Sequence, residues 1–191
     1  ADPIVTLGGD GTLIGLARHV GATSPIFIGV NFGNLGFLTE IAPSELFSVL
    51  EGALNGKIAT ETRHMLDCQV QRVGRQIFSS QAINDVVVQK EARAKLMELD
   101  LNVNGDAVMR LRADGLIIST ATGSTAYSLA AGGSIVHPSL EVALLTPICP
   151  HSLTVRPFLL PLKYPISIVV PQADGGVHLT IDGQVSLPLE N

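Results

Sequence analysis

The sequence has no tryptophan, two tyrosines and two cysteines, and only 15% of its 191 residues are charged. Each shortage narrows what the chain can be. Cys68 and Cys149 lie far apart in sequence and lack the close spacing of a metal site, so they read as two buried thiols in a reducing compartment. Lysine and arginine total 12 against 17 aspartates and glutamates, a net charge of −5, which supplies no broad positive field for nucleic acid. No apolar run approaches membrane-spanning length, and no signal peptide is visible, so no membrane partner is expected and the cytoplasm is the default location. No cluster of His, Cys, Asp and Glu has metal-ligand spacing, so no metal site is assigned. No nucleophile elbow or catalytic triad pattern is present either. Against these gaps stands a 46% share of hydrophobic residues, enough for a substantial core and incompatible with disorder.

What is there begins at Val5-Thr6-Leu7-Gly8-Gly9-Asp10-Gly11-Thr12. Ile4 to Leu7 is a β-branched apolar run with the pattern of a buried strand. Thr12 to Val20 reads as a short helix, with Thr12 as N-cap and Gly21 closing it. Asp10 then sits in a glycine turn between strand and helix, where open α/β sheets bind ligands. Glycines let a ligand approach the backbone closely, and helix N-termini favour phosphates. By itself this is also what an ordinary strand-to-helix turn looks like.

Residues 1–59 read as an α/β domain and residues 60–191 as a β-rich domain, with the change of pattern at 57–62. In the first, Ile26 to Val30 is a second strand running into the glycine-rich loop Asn31 to Leu38. Two strands ending in glycine loops suggest one crevice. Pro43-Ser44-Glu45 opens a helix with Ser44 as N-cap and Leu46, Phe47, Leu50 and Leu54 on one face, and Asn55-Gly56 stops it. In the second, Leu66, Cys68 and Val70, then Met97, Leu99, Leu101 and Val103, alternate with mostly polar residues. Asn104-Gly105 is a hairpin signal. Ile166 to Val170 and Val177 to Ile181 are further strands, with Ala173-Asp174-Gly175-Gly176 between them. The pattern is that of an antiparallel sandwich or similar layered sheet. Two strands are too few to cover a parallel sheet, so the α/β part is expected to be truncated.

Three more stretches carry polar chemistry. Asn84-Asp85 interrupts a β run, as a strand-entry turn or as a reader of ribose hydroxyls or a base edge. In Arg112-Ala113-Asp114-Gly115, the Asp-Gly pair reads as a tight turn by default, and Arg112 is a phosphate partner or a solvated edge-strand arginine. Ser119 to Gly133 crowds small and hydroxylated residues before a short helix that Gly132-Gly133 would close, too many for a simple cap. Within it, Tyr127 packs on a base or fills core. Asp182-Gly183-Gln184 reads as a hairpin turn, and His151 as a lone structural histidine.

Taken in order, Gly8-Gly9-Asp10-Gly11-Thr12, Gly29-Val30-Asn31 with Leu35-Gly36-Phe37-Leu38, Asn84-Asp85, and Asp114 to Thr120 through Thr122-Gly123-Ser124-Thr125-Ala126-Tyr127 closely resemble the NAD kinase family over nearly the whole chain. The glycine-flanked aspartate alone is shared with lipid kinases and phosphofructokinases. The resemblance implies an α/β, Rossmann-like N-terminal domain followed by an antiparallel β-sandwich-like C-terminal domain, assembled as homodimers or homotetramers. It implies phosphoryl transfer from ATP or polyphosphate, with Mg²⁺ or another divalent cation on the donor, to the 2′-hydroxyl of the adenosine ribose of NAD. Asp10 would be the general base, and Gly8, Gly9, Gly11 and Thr12 would let the donor phosphates come close. The implied NAD contacts are Asp10, Gly11, Asn84, Asp85, Lys95, Arg112, Asp114, Thr125, Ala126, Tyr127, Ser128, Leu129, Ala130 and Gln184. A non-catalytic dinucleotide-binding fragment and a lipid or sugar kinase of the same superfamily are the alternatives.

Overall fold

The computed structural model describes residues 3–20, 25–33, 36–91, 97–171 and 176–190. Lys95, the expected helix stop Gly21, Asn34-Leu35 of the second glycine loop, and Ala173 to Gly175 of the expected turn lie outside the described residues. The chain divides into two compact units, Ala1–Thr62 and Arg63–Asn191.

In the first unit, β1 (Ile4–Leu7) and β2 (Phe27–Val30) pair in parallel, Ile4 opposite Phe27 and Leu7 opposite Val30. Helix α1 (Asp10–Val20) connects them and buries Leu13, Ile14 and Ala17. Its spacing of i, i+1 and i+4 is one apolar stripe. The helix starts at Asp10, two residues before the expected Thr12, so Thr12 is inside the first turn and is not the cap. The reason is the glycine pair: Thr12 N–H donates to the Gly9 carbonyl at 3.0 Å, which draws Asp10 and Gly11 into the turn. After β2 the chain folds back, and Ile41 bridges Val30 in parallel.

Pro43–Glu45 forms a 3₁₀ turn and α2 spans Leu46–Leu54. Ser44 caps nothing; the Glu45 carboxylate instead accepts the Ala42 N–H at 2.9 Å. The expected apolar face of α2 is not buried either, with Phe47 80% and Leu54 66% exposed. Asn55-Gly56 does stop the helix, Gly56 taking φ +65°.

The second unit is antiparallel throughout. A six-stranded sheet runs β10-β9-β8-β5-β12-β13, built from β5 (Asp85–Lys90), β8 (Gly115–Thr120), β9 (Val142–Ile148), β10 (Phe158–Pro161), β12 (Val177–Ile181) and β13 (Val185–Leu189). A three-stranded sheet runs β11-β6-β7, from β6 (Met97–Val103), β7 (Asp106–Ala113) and β11 (Ile166–Val169). β3 (Leu66–Arg72) and β4 (Arg75–Ala82) form a hairpin. The alternation of β6 buries Met97, Leu99, Leu101 and Val103 in one core with Val86, Val88, Leu116, Ile118, Leu145, Leu179 and Ile181 of the large sheet. Asn104 and Gly105 take φ +53° and +90°, the pair of positive angles of a two-residue hairpin turn.

At its centre the large sheet is buried on both faces, which is why β5 and β8 carry apolar residues at consecutive positions. On the face opposite the core, Leu144 packs with Ala121 and Val136, under a 3₁₀ turn (Thr122–Thr125) and a one-turn helix α3 (Tyr127–Ala130).

Asp114-Gly115 is not a tight turn. The chain bends at Asp114 and passes straight from β7 in the small sheet to β8 in the large one. Gly115 is there for closeness: a Cβ on it would meet Ile148 Cδ1 and the Val88 carbonyl at 2.8 Å each. Gly115→Ala therefore forces β5, β8 and β9 apart. Its expected cost is about 1–3 kcal/mol, read as a lower urea midpoint.

Candidate active site

In the first unit the site is built on Asp10. Gly8-Gly9 ends β1 and the helix begins on Asp10 itself, so its carboxylate stands at the α1 N-terminus. It does not hang free. Asp10 Oδ2 accepts the Phe37 N–H at 2.8 Å, and Oδ1 accepts the Leu38 N–H at 3.1 Å, the Thr39 N–H at 2.9 Å and the Thr39 hydroxyl at 2.8 Å. The loop after β2 thus folds into a cradle of N–H groups around one anion. Gly36 makes it possible, because a Cβ there would overlap the Asp10 carboxylate and lie 2.7 Å from Thr39 Oγ1. Gly29 does the same beneath the loop, where a Cβ would sit 2.9 Å from the Leu38 carbonyl.

Partial burial alone would raise the Asp10 pKa, but the Thr39 hydroxyl and the N–H groups of Phe37, Leu38 and Thr39 outweigh it, and the acid is held below its ordinary value.

In the second unit, Asn84 and Asp85 lie where the chain enters β5, and the clamp on them is Asp182. Its carboxylate accepts the N–H groups of Ile83 at 3.2 Å, Asn84 at 2.8 Å and Asp85 at 3.1 Å, and its own N–H donates to the Asp85 carbonyl at 2.9 Å. Asp182 adopts φ +50° in the β12–β13 turn to do so. The turn expected at Asp182-Gly183 is present, with Gln184 N–H donating to the Ile181 carbonyl, and Gln184 is exposed. From the other side Gly123 lies against the Asn84 backbone, where a Cβ would come within 2.6 Å of Asn84 Cα. Thr120 N–H donates to the Asn84 carbonyl at 2.9 Å, and the Thr120 hydroxyl to the Ile83 carbonyl at 2.5 Å.

The hydroxyl-rich stretch divides its labour. Ser124 is buried, and its hydroxyl donates to the Ala121 carbonyl at 2.7 Å and accepts the Val136 N–H at 3.0 Å. Ser128 is buried against the Thr146 hydroxyl at 2.8 Å, so it holds the helix to the sheet. Gly132, at φ +89°, and Gly133 close the stretch, Gly133 N–H donating to the Ser128 carbonyl. Thr125 and Ala126 are half-buried, and Leu129 and Ala130 are exposed. Tyr127 is 42% exposed, so it does not fill core.

The remaining expected contacts have other partners. Arg112 is on the edge strand β7, exposed, and its Nε lies 2.7 Å from Glu98 Oε1 across the ladder. Asp114 Oδ1 lies 3.4 Å from Lys90 Nζ. Gly11 and Thr12 are exposed in the first turn of α1. Cys68 is half-buried and Cys149 exposed, correcting the expectation of two buried thiols; a φ of +45° turns Cys149 out at the end of β9. Among the described residues, no three His, Cys, Asp or Glu side chains are grouped to hold a metal ion.

Thr39, Thr146 and the clamping role of Asp182 escaped sequence reading. The signal for Thr39 was faint: a lone threonine closing a glycine-rich loop.

Asp85 is 4% exposed, and burial, with the Asp182 charge beside it, pushes its carboxyl up to about 6. Between about pH 4 and 6 the folded chain holds a proton that the unfolded chain has released, so this group's contribution to stability falls as pH rises through that window. Asp85→Asn removes the effect. Its stability relative to the parent is expected to rise across that window and to level off above it, by up to about 3 kcal/mol, in urea unfolding without nucleotide.

Known protein families match both parts of the chain. The ATP-NAD kinase N-terminal domain profile matches residues 1–58 and the ATP-NAD kinase C-terminal domain profile matches residues 83–191. The NAD kinase of Geobacter sulfurreducens is 49% identical over 190 residues, covering 100% of this chain and 67% of the relative, and that of Geotalea daltonii is 46% identical over 191 residues with the same coverage. Yeast NADH kinase complexed with NADH superposes with a TM-score of 0.92 at 35% identity, over 100% of this chain and 56% of that one. An NAD kinase from Archaeoglobus fulgidus in complex with ATP gives 0.82 at 28% identity, over 100% of this chain and 72% of that one. No described helix is long and apolar enough to cross a membrane. With both domain profiles in order and relatives of 46–49% identity aligned over the whole of this chain, it belongs to the NAD kinase family of enzymes.

Proposed function

We propose that Asp10 is the general base with which this NAD kinase family enzyme phosphorylates the 2′-hydroxyl of the adenosine ribose of NAD. The 2′-oxygen bonds to the terminal phosphorus of ATP or polyphosphate, the bond from that phosphorus to its bridging oxygen breaks, and the hydroxyl proton passes to Asp10. The observation that carries this is the carboxylate at the α1 N-terminus, kept ionised by the donors of Phe37, Leu38 and Thr39. A weakly basic carboxylate suits phosphoryl transfer, where the proton leaves late and catalysis rests on positioning and charge.

Gly8, Gly9, Gly11 and Thr12 form the approach for the donor phosphates, with the exposed Gly11 and Thr12 N-terminal turn facing that charge. In the second unit Asn84, Asp85, Asp114, Tyr127, Gln184 and the Thr125–Ala130 stretch contact the dinucleotide. Fixing of the Asn84 backbone by Asp182 and Gly123, and the exposure of Tyr127, support this. Arg112 and Lys95 complete the set by family resemblance. The division of labour follows the proposed domains, 1–59 for the glycine-flanked acid and 60–191 for NAD. A divalent cation enters with the donor, whose phosphates carry it. Among the described residues no three His, Cys, Asp or Glu side chains are grouped to hold it. A homodimer or homotetramer in the cytoplasm is the accompanying assembly, the two unbridged cysteines fitting a reducing compartment.

With ATP, Mg²⁺ and NAD supplied and NADP read by a coupled dehydrogenase, Asp10→Asn is expected to lower kcat about 10²- to 10⁴-fold with little change in KM for ATP. Full activity in Asp10→Asn removes the base assignment.

A further inference from the structure

Oδ1 and Oδ2 of Asp10 are not equivalent. Oδ1 takes three donors, the N–H groups of Leu38 and Thr39 and the Thr39 hydroxyl. Among the described residues, Oδ2 takes one, the Phe37 N–H at 2.8 Å. A carboxylate oxygen has two lone-pair directions, so Oδ1 is saturated and Oδ2 keeps one open.

The asymmetry is set from further back. Thr39 is fully buried, and its hydroxyl oxygen receives Asn31 Nδ2 at 3.1 Å. Asn31 is itself buried and cannot turn over, because its Oδ1 accepts the Gly33 N–H at 2.7 Å while its Nδ2 also reaches the Thr39 carbonyl at 3.3 Å. The amide thus occupies the acceptor side of the hydroxyl, and the one proton the hydroxyl has goes to Asp10 Oδ1. Donation runs one way, from Asn31 to Thr39 to Asp10.

We infer that Thr39 is a positioning residue of the phosphoryl transfer: oriented by Asn31, its hydroxyl ties down Oδ1 of Asp10 and leaves Oδ2 as the atom that receives the ribose proton. This rests on the assignment of Asp10 as base. Nothing else in the first unit supplies a side-chain donor to that carboxylate among the described residues. The three N–H donors are backbone and survive any side-chain change, so the hydroxyl is the adjustable part of the cradle. Its loss leaves Oδ1 with its two N–H donors and removes one of the four bonds that stabilise the charge, so the carboxylate is held less firmly and is easier to protonate.

The test measures the Asp10 carboxyl by carbon-13 NMR in the whole chain, assigned through Asp10→Asn, alongside the pH profile of kcat/KM. Thr39→Val keeps the shape of the side chain without the hydroxyl, Thr39→Ala removes it without any risk of overpacking, and Thr39→Ser keeps it. Val and Ala are expected to raise the Asp10 pKa by about one unit and to move the acidic limb of the profile up with it, lowering kcat more than KM. Ser is expected to titrate as the parent does. A purely structural threonine would move stability but neither the titration nor the limb. If Asp10→Asn is inactive and Thr39→Val and Thr39→Ala leave the Asp10 titration where it was, this inference falls and the base assignment stands. If Asp10→Asn is fully active, the base assignment falls and takes the inference with it.

Discussion

The first unit depends on one anion held by a loop. Asp10 supplies the charge, and Phe37, Leu38 and Thr39 supply the N–H groups. The same contact does two jobs. It folds the segment after β2 back over the end of the parallel pair, and it fixes the carboxylate in one orientation. Charge-assisted hydrogen bonds are roughly twice as strong as neutral ones, so the loop is anchored by the very group proposed to do the chemistry. Two glycines make the closeness possible, Gly36 against the carboxylate and Gly29 under the loop.

The second unit repeats the device with the roles exchanged. There the carboxylate of Asp182 is the clamp, and the N–H groups of Ile83, Asn84 and Asp85 are the clamped. The Asn-Asp pair is pinned from behind by an acid and from the side by Gly123. The result is a buried Asp85 close to a second negative charge, an arrangement that costs the apo fold stability at neutral pH. Strain of this kind is expected where a polar group is kept for a ligand rather than for the fold.

Much of the framework was legible. β1, β2, the alternation of β6, the Asn104-Gly105 hairpin and the stop at Asn55-Gly56 follow from periodicity and turn chemistry alone. The failures were of two sorts. Local rules for caps misplaced Thr12 and Ser44, because the helical turns begin earlier, at Asp10 and at Pro43, and leave both residues inside a first turn. Local patterns misjudged α2, whose Phe47 and Leu54 stay exposed, and Asp114-Gly115, whose small glycine serves sheet packing rather than a reversal of direction. β4, β9 and β10 carry little alternation of their own and take their place from pairing with neighbours.

By itself the sequence determined the kinds of element, the change from helical to two-residue period, and the family, since glycine-flanked acids and a Thr-Gly-Ser-Thr-Ala-Tyr run are local patterns. Only the tertiary structure decided what each acid touches. Asp10 meets residues 37–39 and Asp182 meets residues 83–85 across long stretches of chain. Which lone pairs stay open on such a carboxylate is set by donors distant in sequence, and no local pattern encodes that count.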